Sequence, residues 1–98
     1  MTQLILKQPE SDRVVEIIKD VINGRIALLE HSRQLYRKRL EKFEQKYNVT
    51  SEEFIKEWAA EDLEGKDMEY VEWAGEYKLF LRLDMDLKSL KNVEYVIE

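Results

Sequence analysis

No cysteine occurs in the chain, which excludes disulfides, thiolate metal sites and cysteine nucleophiles and fits a reducing compartment. Proline appears once, at Pro9, and glycine only at Gly24, Gly65 and Gly75. None of these glycines stands in a GxGxxG or GxxxxGK(S/T) setting, so the loops that cradle nucleotide phosphates are missing. No apolar run approaches the ~18 residues a membrane span requires, and the opening MTQLILKQPESD lacks the basic region and longer apolar core of a secretory signal. A cytoplasmic protein without a membrane segment is therefore expected. The single histidine, His31, sits between Glu30 and Ser32. The positions three and four residues away hold Leu28, Ala27, Gln34 and Leu35, which are not useful metal ligands. His31 reads as an ordinary helix-surface residue. Glu69, Glu72 and Glu76 share a helical face, with Asp84 and Asp86 further along, and such carboxylates can gather a hard cation. The ExxH pattern of di-iron bundles is absent, and a solvated acidic face is the simpler reading. No catalytic residue, metal or cofactor is expected.

What is present points to an ordered helical chain. Ninety-eight residues allow one small domain, and 44% of them are hydrophobic, including two Trp, five Tyr and three Phe, which is too apolar for a disordered polypeptide. The formal charge of −5 is unevenly divided. Residues 1–49 hold ten Lys or Arg against seven Asp or Glu, whereas residues 50–98 hold six against fourteen. Such an asymmetry can steer like molecules head to tail or attract a basic partner to the second half. The basic run 31–42, with Arg33, Arg37, Lys38, Arg39 and Lys42, could contact phosphates. No helix-turn-helix pattern accompanies it and the acidic half opposes a polyanion, so nucleic-acid binding is the weaker expectation.

The apolar spacing predicts an all-α fold: a tail over 1–9, a long helix over 10–47, a short helix over 50–62, a third helix over 68–90 and a tail over 91–98. Pro9 suits a boundary, and Ser11 or Asp12 can cap the first turn. Val15, Ile18, Ile22, Ile26, Leu29, Tyr36, Leu40 and Phe43 then recur at three-, four- and seven-residue spacings, a seam of the coiled-coil type interrupted at Arg33. The stretch from Val14 to Ile22 is apolar around well over half its circumference, more than one neighbouring helix can cover. Asn23-Gly24 is the place where the long helix could break. A helix of more than thirty residues in so short a chain favours a homo-oligomer, a dimer first, joined along that seam. Asn48 is a plausible stop. Thr50 with Glu53 forms a capping box, and Val49 with Phe54 a hydrophobic staple. Asp67 can cap the third helix, which is expected to pack antiparallel on the long one. The ends, Leu4-Ile5-Leu6 and Val93 to Ile97, have β-like composition. They could pair with each other, with a second copy or with a partner's sheet edge, or remain frayed.

The long amphipathic helix, the exit Glu44-Gln45-Lys46-Tyr47-Asn48, the Thr-Ser-Glu-Glu-Phe helix start and the words Tyr-Val-Glu-Trp-Ala-Gly-Glu-Tyr over 70–77 together resemble small helical antitoxin-like proteins of archaea and cyanobacteria. The likeness covers roughly residues 14–90. It implies a non-enzymatic protein that neutralises a small, basic toxin by direct binding, with an acidic surface occupying a site shaped for RNA phosphates. The aromatics would then serve as anchors. Trp58, Tyr70, Trp73 and Tyr77, with Tyr95 and Ile97 from the tail, are the expected contact residues.

Overall fold

The computed structural model describes residues 2–8, 11–58 and 68–98. Strand β1 (Thr2–Leu6) leads into helix α1 (Asp12–Tyr47). A single helical turn, α2 (Ser51–Glu53), widens into a π-helical stretch over Phe54–Trp58. Helix α3 (Met68–Lys91) and strand β2 (Val93–Ile97) complete the order. The expected loop signals at Leu63 to Asp67 and the end of the short helix lie outside the described residues.

Helix α1 runs unbroken through Asn23-Gly24 for 36 residues, a length of about 54 Å at 1.5 Å per residue. That helix sets the shape of the molecule, whose extents are 57 × 21 × 20 Å. Its start uses backbone geometry alone, since Ser11 is the N-cap without a side-chain hydrogen bond. Its end is more definite. Asn48 adopts the left-handed conformation (φ 53°, ψ 45°) and returns its N–H to the Glu44 carbonyl, the stop that Asn tolerates better than most residues. Two residues on, Thr50 Oγ1 accepts a hydrogen bond from the Glu53 N–H at 3.1 Å and fixes the start of α2.

Gly24 shows what tertiary packing can override. Glycine costs a helix interior about 1 kcal/mol relative to alanine, yet α1 passes through it intact. A Cβ built at Gly24 meets nothing within 4 Å. Gly24→Ala should therefore raise stability by about 0.5–1 kcal/mol, because it lowers the entropy of the unfolded chain without a clash. A thermal melt showing no increase would mean that the helix does bend there in solution.

Helices α1 and α3 form an antiparallel hairpin whose rungs are ion pairs between the basic first half and the acidic second half. Arg33 meets Asp84 at 2.9 Å, Arg39 meets Glu76 at 3.7 Å and Lys46 meets Glu69 at 2.8 Å. The uneven division of charge along the sequence is thus largely reconciled within the hairpin. Asp84 is held by two cations, Arg33 and Lys88. A hydrogen bond from Lys88, added to that from Arg33, keeps its carboxyl below the usual range even though burial pushes the other way. The folded value being depressed, Asp84 contributes stability that is present above its ordinary titration near pH ~4 and is lost as pH falls through the lower folded value. Asp84→Asn should accordingly destabilise the protein at pH 7. The difference from wild type should shrink as pH falls below the ordinary carboxylate range, and urea titrations at pH 7 and in acid read it directly.

Leu40, Phe54, Trp73, Ala74 and Phe80 form the main core, with Tyr36, Phe43, Tyr47, Val49, Ile55, Tyr70 and Tyr77 packed around it. This core occupies the end of the hairpin where α2 folds across. At the other end, Val15, Leu29 and Leu87 are buried. There the two chain ends meet as a two-stranded parallel sheet, in the register Thr2↔Val93, Leu4↔Tyr95 and Leu6↔Ile97. Parallel strands need a crossover connection, and the whole helical hairpin serves as that crossover.

Candidate functional site

The aromatic cluster explains why α2 sits where it does. Trp73 is 0% exposed. Its ring lies over Phe54, with centroids 3.8 Å apart and planes within 5°, and also stacks with Phe43 and Tyr47. Its indole Nε1–H donates to Ser51 Oγ at 2.9 Å. The Ser51 hydroxyl and backbone N–H both donate to Glu44 Oε2 at 2.8 Å, and Arg37 donates to the other Glu44 oxygen. One polar chain thus ties α1, α2 and α3 together, with every member satisfied by another, the condition under which buried polar groups rigidify a core.

Trp73 is therefore a core residue, and the expectation that it anchors a partner is corrected: a side chain with no exposed surface has nothing to offer a partner without unfolding. Tyr70 and Tyr77 are half-buried against the same cluster, and Tyr70 makes edge contacts with Phe54 and Tyr47. Trp58 closes the π-helical stretch, and its side chain lies outside the described residues. The expected contact set is thus divided between the two ends of a rod, because Tyr95 and Ile97 belong to β2.

The seam of α1 is likewise used inside the chain. Val15, Leu29 and Leu40 are buried, and Ile18, Ile22, Ile26, Tyr36 and Phe43 are half-buried, on the side of α1 that meets α3 and the terminal sheet. The expected oligomer seam is occupied by the protein's own elements, since a hairpin partner needs the same heptad spacing as a second chain. The basic run 31–42 is also engaged. Arg33, Arg37 and Arg39 pair with Asp84, Glu44 and Glu76, and the Arg33 guanidinium lies 4.9 Å from the centroid of Phe80. Of the acidic set, Glu69, Glu76 and Asp84 are held by Lys46, Arg39 and Arg33 with Lys88. His31 is exposed.

The open feature is the sheet. Glu98 N–H donates to the Leu6 carbonyl at 2.9 Å, and Gln8 N–H donates to the Glu98 carbonyl at 2.8 Å. The alternation of a parallel ladder then aims the backbone groups of Glu94, Val96 and Glu98 at β1 and those of Thr2, Leu4 and Leu6 at β2. Gln3 and Ile5 on one strand, and Val93, Tyr95 and Ile97 on the other, direct theirs outward. Among the described residues neither outer edge has a partner strand. One face of the sheet, with Leu4, Leu6, Val93 and Tyr95, is half-buried, and Lys19 Nζ lies 5.2 Å from the centre of the Tyr95 ring. Ile5 and Ile97 are exposed. β1 contains neither charge nor proline and β2 only Glu94, so β1 lacks, and β2 has little of, what native proteins usually use to blunt a free strand.

The β-like composition of both ends was readable. Their parallel pairing was not, because it depends on the hairpin bringing residue 2 and residue 93 to the same end. Comparison with protein-family models, with curated proteins and with solved structures finds no match.

Proposed function

We propose that this chain is a non-enzymatic protein-binding module, antitoxin-like in action, that neutralises a small basic protein by taking up one of its strands at an open edge of the terminal sheet. The observation that carries this reading is the two-stranded parallel sheet with outward-aimed backbone groups on both sides. A two-stranded sheet is marginal by itself in water, and three strands with an apolar face are the usual minimum for stability. Strand addition supplies the missing strand: main-chain hydrogen bonds give affinity, and alternate side chains give specificity. A basic partner suits the chain's charge of −5 and Glu94 and Glu98 beside the β2 edge. The helical hairpin is then a rigid stand for the sheet, and the protein works in the cytoplasm beside its target.

The test is functional. A tagged copy is used to capture the partner at moderate salt, the partner is expressed alone, and growth is scored with and without the chain. The proposal expects a near-stoichiometric small basic protein that arrests growth when alone and is relieved by the wild-type chain. Recovery of this chain alone, or relief undiminished after the strands are removed, would contradict it.

A further inference from the structure

Helix α1 carries a second apolar stripe beside the one that faces α3. Val14, Val21, Leu28 and Leu35 recur every seven residues. Each stands one position before a residue of the inner seam (Val15, Ile22, Leu29 and Tyr36), about 100° further round the helix. All four are between 39% and 67% exposed. A sustained heptad of exposed aliphatic residues is a packing surface, not the scatter of single apolar residues every protein surface shows. At its middle the stripe borders a groove of about 480 Å³ between the helices, where Leu28 and Leu29 face Leu79 and Leu83 of α3. The opposite side of α1 is polar. The groove there holds Glu30, Arg33 and Gln34 and is crossed by the Arg33–Asp84 and Lys91–Glu30 ion pairs. Exposed Leu81 and Met85 of α3 fall outside both grooves.

We propose that this face seats a second copy of the chain, two hairpins packing face to face about a two-fold axis that runs along the rod. Charge selects the occupant and the axis. On this face α1 contributes Arg25, Arg39 and Lys42, and α3 contributes Glu72, Glu76 and Asp86 together with one basic residue, Arg82. The two helices are matched in height, as the Arg39–Glu76 contact shows. An axis along the rod lays α1 of each copy over α3 of the other at the same height, so basic residues meet acidic ones twice over in a self-complementary contact. An axis across the rod lays α1 on α1 and α3 on α3 and forgoes that match. Area is sufficient as well. A face of a rod measuring 57 × 21 × 20 Å offers on the order of 1,000 Å², against the ~800 Å² per partner of a standard stable interface.

Sedimentation equilibrium of the full chain tests this. Wild type should sediment at twice its 11.8 kDa mass at micromolar concentration. The double variant Val21→Glu/Leu28→Glu should dissociate at least about 100-fold more readily, because its carboxylates would be buried without partners, and its far-ultraviolet circular dichroism should match wild type because both positions are exposed in the single chain. Glu72→Lys should weaken the dimer about tenfold, and Lys42→Glu in the same chain should restore it, a rescue that a purely apolar contact would not show. A monomeric wild type, or a double variant that stays dimeric, would overturn the proposal. So would a wild-type dimer abolished by proline at Ile5 or Ile97 alone, which would place the contact at the sheet edges. The changes at Val21, Leu28, Lys42 and Glu72 lie on the helices and leave the strands untouched, so failure of this dimer leaves the partner-binding reading standing, and the reverse holds too.

Discussion

Trp73→Ala should remove about 3–5 kcal/mol of stability, a large share of the 5–15 kcal/mol that holds a typical domain folded. The indole is fully buried and stacks on rings from both α1 and α2, so its loss opens a cavity where three elements meet. It also leaves the Ser51 hydroxyl without its donor. Trp73→Phe separates the two effects: a ring remains to fill the space, the indole N–H is gone, and the loss should fall to about 1–2 kcal/mol. Urea unfolding followed by circular dichroism gives both numbers. A Trp73→Ala protein within 1 kcal/mol of wild type would show that the aromatic stack does not hold α2 against the hairpin.

Proline at the outward positions of the strands should separate partner binding from folding. Ile5 and Ile97 are exposed, and their N–H groups aim away from the sheet. Proline there removes a donor the β1–β2 ladder does not use, and edge strands tolerate it when the lost N–H faces outward. An added strand would lose that hydrogen bond and meet the pyrrolidine ring. The affected edge should bind its partner at least tenfold more weakly, equivalent to about 1.4 kcal/mol, while the circular dichroism spectrum and melting temperature stay near wild type. Val96→Pro is the contrasting variant, because the Val96 N–H aims at β1 and its loss opens the sheet itself. Calorimetric titration of the partner into each variant distinguishes the two edges. Unchanged affinity in both Ile5→Pro and Ile97→Pro would remove strand addition from the account.

Local signals in this sequence carried well into the structure, and long-range ones did not. Thr50, Glu53 and Asn48 could be read as cap and stop because their hydrogen bonds span four residues or fewer. The helical hairpin followed from the helical spacing of apolar residues, whereas the acidic and basic halves, which pointed to head-to-tail assembly or a basic partner, are paired largely within it. The role of Trp73 could not be read the same way. A tryptophan on a helix looks alike whether it faces a partner or the protein's own core, and the decision rests with Phe43, Tyr47, Ser51 and Phe54, which lie 19 to 30 residues away in the chain. The inner seam posed the same ambiguity, since identical spacing serves a hairpin and a coiled-coil dimer. The residual signal was the breadth of the apolar face from Val14 to Ile22: one partner covers Val15, Ile18 and Ile22, and Val14 and Val21 are left over. Gly24 was the opposite case, a local warning overridden by the packing of α1 on both sides of it.

Amide hydrogen exchange at residue resolution, with the chain free and then bound to its partner, tests the central claim most directly. The backbone N–H groups of Gln3 and Ile5, or those of Tyr95 and Ile97, should exchange freely in the isolated protein and slow by at least about tenfold in the complex, because those are the donors an added strand must capture. Unchanged exchange at all four amides, with new protection confined to α1 or α3, would contradict the account and move the binding site onto the helices.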